Sequence, residues 1–226
     1  MLILGIDTST KYAQIALVED EKLLAEVTIK FKATHSEKLL PEISHLLDML
    51  SIAVDTIDYY AVSIGPGSFT GLRVAVSTIK GLSFVTGKKV IPVSTVEAIA
   101  WSLPYCKYQI CPMIDARKGE VFSALFRWKE DEFIRITEDM VLDINDLIGL
   151  IKEKTLFVGD AAELYKPKLI EKLNNNAIIS SSFWNTPKAS SVAFLGLKKL
   201  RENQLVEARQ LVPKYLRKSE AEIRFG

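Results

Sequence analysis

The sequence predicts an α/β protein of two lobes, with mixed sheets and helices packed on them. Three observations carry that expectation. The chain opens with three short strand-like segments in succession, then alternates between helix-period and strand-like segments. That pattern breaks once, around Ser102-Leu103-Pro104, and then resumes. At 226 residues, 48% apolar and 25% charged, the chain has an ordinary globular balance and enough length for one large core or two small ones.

Leu2–Ile6 reads as a buried strand. Ile15–Val18 and Leu23–Thr28 read as two more, joined by the polar turn Glu19-Asp20-Glu21-Lys22 into an antiparallel meander. A helix is expected from His35 to Leu50, because Leu39, Ile43, Leu46, Leu47 and Leu50 fall on one stripe at helical spacing. Thr34 or Ser36 can cap it, and Pro41 must sit in its first turn or kink it. Next come a strand at Tyr59–Ile64, a glycine-rich turn, a helix from Gly71 to Thr86, a strand at Val90–Val93 and a helix from Ser94 to Trp101.

The second half is read as strands at Gln109–Ile114 and Val121–Arg127 around the turn Arg117-Lys118-Gly119. Helices follow at Asp143–Glu153 and Ala161–Leu173, with strands at Leu156–Val158 and Ala177–Ile179 and a loop over Ser180–Pro187. The expected division is an N-terminal lobe over residues 1–101 and a smaller lobe over 102–187. The last helix, residues 188–203, crosses back to the first.

Composition excludes several classes. No run approaches the roughly 20 apolar residues of a membrane span, so no membrane partner is expected. The apolar start lacks a basic segment and meets Asp7 too early for a signal peptide. Cys106 and Cys111 suggest no disulfide framework, which points to the cytoplasm. Net charge is only +1, and basic residues concentrate solely in the tail at Lys214, Arg217, Lys218 and Arg224. A chain that grips RNA alone usually carries a basic face, so contact with RNA is expected only through a partner.

Gly65-Pro66-Gly67-Ser68-Phe69-Thr70-Gly71-Leu72-Arg73 leaves a strand and enters a helix, where free N–H groups can hold an anion. It lacks the Lys-Ser/Thr of a P-loop, and its third glycine comes one residue late for a dinucleotide loop. A structural turn is the plainer reading. The helix that follows has almost no polar face, being interrupted mainly by Arg73 and Lys80, so it should be buried on two sides. One side can be its own sheet; the other is covered by the second half of the chain or by another protein.

The Gly65–Val74 run followed by Lys80-Gly81-Leu82 resembles the bacterial TsaB family, also called YeaZ. Supporting matches run the length of the chain: Leu4–Ser9, His35-Ser36-Glu37, Val93–Ala98, Asp115–Val121 and Pro213–Arg217. The resemblance implies the actin-like, sugar-kinase-like and Hsp70-like ATPase fold, built on ribonuclease H-like lobes. It also implies partnership with the homologous catalytic subunit TsaD and the small ATPase TsaE. In that family the assembly transfers a threonylcarbamoyl group to N6 of adenosine 37 in tRNAs that read codons beginning with A. Such chains also self-associate, through the surface that receives TsaD. Applied here, the contact residues would be Leu39, Ile43, Leu46, Leu72, Ala75, Val76, Ile79 and Ser83.

The same resemblance argues against chemistry by this chain alone. The histidine pair that holds the metal in TsaD-like relatives falls on Thr95 and Ile99, neither of which can be an imidazole ligand. The two histidines, His35 and His45, lie about 15 Å apart along one helix, too far to share a metal. Asp7-Thr8-Ser9-Thr10 lacks the glycine of a phosphate hairpin, and Asp115 is followed by Ala116-Arg117. Asp7, Thr8, Ser9 and Asp115 therefore mark a vestigial nucleotide cleft, with any ATP and Mg²⁺ held elsewhere in the assembled complex. Two rival readings remain. One is a peptidase with Ser68 as nucleophile, His35 or His45 as base and Asp7 as orienter. The other is a small-molecule kinase of the same fold, dependent on Asp7 and Asp115.

Overall fold

The computed structural model describes residues 1–30 and 35–217, without the side chains of 35–37. The candidate base His35, the candidate caps Thr34 and Ser36, and the tail residues Lys218 and Arg224 lie outside that description. The chain forms two compact units: Met1–Thr95 with Lys188–Lys214, and Val96–Pro187 with the stretch from Tyr215. Among the described residues no helix is long and apolar enough to cross a membrane.

In the first unit, β1 (Leu2–Asp7), β2 (Tyr12–Glu19) and β3 (Lys22–Lys30) form the expected meander. Helices α1 (His35–Met49) and α2 (Phe69–Thr86) alternate with β4 (Tyr59–Gly65) and β5 (Val90–Ser94). The sheet order is β3-β2-β1-β4-β5, with β4 and β5 parallel to β1. Every residue of β1 is buried, as a central strand covered on both faces requires. Leu2, Leu4 and Ile6 point to one face and join Ile15, Leu17, Tyr60 and Val62 beneath α1 and α2.

Helix α2 starts at Phe69, two residues before the expected Gly71, because the Ser68 hydroxyl accepts from the Gly71 N–H at 3.2 Å as its N-cap. It stops at Gly87, whose φ of 70° supplies the left-handed cap. Leu72, Ala75, Val76, Ile79 and Ser83 form its buried stripe, while Phe84 and Val85 are 87% and 81% exposed. Within this chain alone, α2 buries one stripe and leaves the side of Phe84 and Val85 open. Residues three and four apart share a face, so the inward stripe takes only part of the apolar content.

The second unit begins earlier than the break at Ser102 suggests. In α3 (Thr95–Trp101), Val96, Ile99 and Ala100 pack with Ile110, Ile114 and Phe126. Ile110 and Ile114 belong to β6 (Gln109–Arg117), and Phe126 opens β8 (Phe126–Lys129), which follows β7 (Glu120–Ser123) and precedes β9 (Glu132–Arg135). One predicted strand, Val121–Arg127, is really β7 and β8, interrupted at Ala124-Leu125. The partner strand explains the break: Pro112 in β6 has no N–H to donate, and the Ser123 hydroxyl bonds its carbonyl at 2.7 Å instead.

The rest of the unit is β10 (Met140–Asp143), α4 (Ile144–Leu150), β11 (Thr155–Val158), α5 (Asp160–Leu164), α6 (Lys166–Leu173) and β12 (Ala177–Ile179). The single helix expected over Ala161–Leu173 divides at Tyr165 because Pro167 cannot donate within a continuous helix. Strand order is β10-β7-β6-β11-β12, with β11 and β12 parallel to β6, while β8 pairs with β6 and β9 with β8.

Finally α7 (Ala189–Arg201) returns to the first unit and covers the second face of its sheet. Gly5 makes this possible, since a β-carbon there would lie 2.4 Å from the Ala189 carbonyl oxygen. Glu26 on β3 caps the helix start, accepting from both the N–H and hydroxyl of Ser190 at 2.8 Å.

Candidate functional site

The loop after β1 and the turn before α2 are built as one object. The Thr8 hydroxyl donates to the Gly71 carbonyl at 2.7 Å, and the Ser68 N–H donates to the Ser9 carbonyl at 2.7 Å. A β-carbon on Gly71 would come within 1.9 Å of the Thr8 carbonyl oxygen, and one on Gly65, whose φ is 122°, within 2.7 Å of the Lys214 carbonyl. The glycines of the diagnostic run are therefore required by close approach of backbones.

Asp7 is fully buried. Its carboxylate accepts from the Ser9 N–H at 3.0 Å and from the Ser9 hydroxyl at 2.9 Å. Burial pushes its pKa above the ordinary value, opposed by Ser63 and Ser9, which favour the charged form. The buried Ser63 hydroxyl makes no hydrogen bond of normal geometry among the described residues, so its influence on Asp7 is one of proximity and the Ser9 contacts are the firmer ones. Asp7, Thr8 and Ser9 are thus brought together, and their polar groups are engaged within the protein.

Asp115 belongs to the other unit. Its carboxylate accepts from the Arg117 N–H at 2.8 Å and pairs with the Arg117 guanidinium at 3.5 Å. Its own N–H donates to Asp160 at 3.1 Å. The Arg117-Lys118-Gly119 turn has positive φ at all three residues, which suits a tight hairpin. Arg217 of the tail anchors the same hairpin through the Ala116 carbonyl at 2.9 Å and Glu120 at 2.8 Å.

Neither position that matches the metal-binding histidines faces solvent. Thr95 and Ile99 are fully buried, and the Thr95 hydroxyl finds no hydrogen-bond partner among the described residues. Among the described residues no three of His, Cys, Asp and Glu gather as a metal site. The candidate nucleophile Ser68 is engaged as the cap of α2, and His45 lies on the exposed side of α1.

The eight side chains expected at a partner surface need correction. Leu39, Ile43, Leu46, Leu72, Ala75, Val76, Ile79 and Ser83 are all buried in the described residues, most within the core beneath α1 and α2. The Ser83 hydroxyl is also bonded to the Lys88 carbonyl, helping to close α2. The opposite faces of the same helices are the ones open to contact. On α1 that face carries Leu40, Ser44, His45 and Met49; on α2 it carries Arg73, Ser77, Gly81, Phe84 and Val85. A shallow groove of about 460 Å³ runs along α2, lined by Thr70, Arg73, Val74, Ser77 and Thr78. The helical wheel could have separated these two faces, but apolar Phe84 and Val85 on the outer side hid the division.

A family model described as TsaD, tRNA N6-adenosine threonylcarbamoyltransferase, matches residues 22–225. The tRNA threonylcarbamoyladenosine biosynthesis protein TsaB of Bacillus subtilis is 31% identical over 100% of this chain and 98% of its own length. YeaZ from Pseudomonas aeruginosa superposes with a TM-score of 0.81 at 25% identity, covering 95% of this chain and 99% of that one. The (R)-2-hydroxyglutaryl-CoA dehydratase component A of Acidaminococcus fermentans matches at TM-score 0.52 and 10% identity, over 89% and 99% of the two chains. That last likeness shows the fold alone, the actin-like ATPase fold that the resemblance implied. With a full-length relative, a matching solved structure and the family model in agreement, the chain belongs to the TsaB (YeaZ) family, as a homologue of TsaD.

Proposed function

We propose that this chain is the non-catalytic scaffold of the complex that forms N6-threonylcarbamoyladenosine at position 37 of tRNAs reading ANN codons. It acts by binding the TsaD-like catalytic subunit, in company with a TsaE-like ATPase. The outer face of α1 and α2 receives either that subunit or a second copy of this chain, not both. The observation that carries this reading is the exposure of Phe84 and Val85, at 87% and 81%, at the end of an outward helix face with small Ser77 and Gly81 beside it. Large exposed apolar side chains next to small ones suit close packing by another protein. The engagement of Asp7 with Ser9, of Thr8 with Gly71 and of Ser9 with Ser68 supports a cleft that no longer handles nucleotide. The buried Thr95 and Ile99 support the absence of catalytic metal.

The test is mass-resolved size exclusion of the chain alone and mixed with the TsaD-like subunit from the same cell. A homodimer that converts to a stoichiometric mixed complex is expected. Phe84→Glu and Ser77→Arg should abolish the mixed complex while leaving the far-UV spectrum and melting transition intact. A mixed complex that survives both substitutions places the interface elsewhere.

A further inference from the structure

At the edge of its core, where Trp101, Trp128 and Phe133 pack, the second unit carries exposed rings and cations that the partner-binding face does not use. They gather at the end of the sheet where β6 and β11 begin, since Gln109 and Thr155 are register partners. Tyr108, just before β6, has two ammonium groups near its ring: Lys107 Nζ stands 5.1 Å and Lys154 Nζ 5.3 Å from the ring centroid. Tyr105 stacks obliquely against Trp128 at 5.7 Å and is itself 71% exposed. Trp128 in turn rests on Trp101 and Phe133, so the outer ring has a rigid support. The nearby acid Glu153 is paired with Arg127, which leaves the two lysines as the uncompensated charges beside the rings among the described residues.

The backbone adds a second observation. Tyr105 has a φ of 57°, a left-handed conformation that Gly or Asn adopts more readily than an aromatic residue. An exposed tyrosine in that conformation carries two local penalties, and its ring contributes little burial in return. Folding alone does not account for the choice of residue here.

We propose that Tyr105, Tyr108, Lys107 and Lys154 form a contact site for single-stranded RNA. Bases stack on aromatic faces irrespective of sequence, and interleaved cations meet the phosphates between them. The overall charge of +1 does not oppose this, because the attraction is local to one end of one sheet. An acidic peptide would use the lysines but gain little from an exposed tyrosine ring. The rings therefore favour nucleic acid as the occupant. The site would let this chain touch RNA directly, rather than only through a partner.

The experiment uses the full chain and a fluorescent oligouridylate of about 15 nucleotides, the length a single binding fold covers. Anisotropy is followed between about 50 and 200 mM salt, with tryptophan quenching as a second readout. Binding should weaken about tenfold or more in Tyr105→Asn, which removes the ring while suiting the left-handed backbone. In the double variant Lys107→Gln, Lys154→Gln the salt slope should fall by about 1.4, the value for two lost phosphate contacts on a single strand. Melting transitions of both variants check folding. The proposal is overturned if the native chain fails to bind at the lowest salt or if the variants bind as well as it does. Equal binding of a polyglutamate peptide of the same length would also overturn it. Complex formation with the TsaD-like subunit is read separately, so failure here leaves that reading standing.

Discussion

The Thr8 hydroxyl donates to the carbonyl of Gly71 at 2.7 Å, joining the loop after the first strand to the first turn of α2, 63 residues later in the chain. The two backbones approach so closely that position 71 admits no side chain, because a β-carbon would lie 1.9 Å from the Thr8 carbonyl oxygen. Gly71→Ala should therefore destabilise the protein by about 3 kcal/mol, the upper range for forced overpacking. Gly81, in the same helix, is the opposite case: a β-carbon there would meet nothing within 4 Å among the described residues. Gly81→Ala should stabilise by about 0.5–1 kcal/mol. Urea unfolding of the two variants checks both signs.

The two faces of α2 should separate stability from assembly. Ile79→Ala removes a fully buried side chain and should cost about 2–5 kcal/mol in denaturant unfolding. Phe84→Ala should stay within about 0.5 kcal/mol for the isolated chain. Only the second should weaken the mixed complex without weakening the fold, as size exclusion under native conditions will show.

The buried Asp7 carries a pH prediction. Burial raises its pKa in the folded state, so the folded protein holds the proton more tightly than the unfolded chain does. Its contribution to stability is present below the unfolded value of about 3.8 and is lost as pH rises through the raised folded pKa. Asp7→Asn keeps an acceptor for Ser9 and removes the charge, so it should unfold at higher denaturant than the native chain at neutral pH. That advantage should shrink towards acid. A destabilised variant at pH 7 would mean that the Ser9 and Ser63 contacts outweigh the desolvation of the charge.

The cysteines should differ in reactivity. Burial pushes the Cys111 thiol up to about 12, where almost no thiolate exists at ordinary pH, while Cys106 is half-buried. A thiol reagent at pH 8 should modify one cysteine per native chain and both after denaturation. Rapid modification of two in the native state would contradict the buried placement of Cys111.

Glu26 tests the return of the last helix. Glu26→Ala removes the acceptor for the Ser190 N–H and hydroxyl and should cost about 1 kcal/mol, with Glu26→Gln recovering part of it. Thermal unfolding is the measurement.

Much of the fold was legible because it is written in local chemistry. The apolar run Leu2–Ile6, the polar turn at Glu19–Lys22 and the helical stripe Leu39–Leu47 each announce their element through spacing alone. The identity was legible for a related reason: the Gly65–Gly71 turn tolerates so few residues at its close approaches that its sequence is distinctive. The division of predicted strands and helices at Pro112 and Pro167 was written there too, in residues that cannot donate a backbone hydrogen bond, but it needed their neighbours to show its effect.

What the tertiary structure alone decided is which side of each element meets the core. The sequence marks α2 as apolar nearly all round, yet only the placement of the sheet assigns Leu72, Val76 and Ile79 inward and leaves Phe84 and Val85 outward. It likewise assigns α3 to the second unit, through Val96 and Ile99 packing on Phe126 and its neighbours. Glu26 capping a helix 164 residues away had no local signal at all. Spacing along a chain determines the period of a helix or strand, but the partner that buries one face comes from distant sequence, and only the folded chain brings the two together.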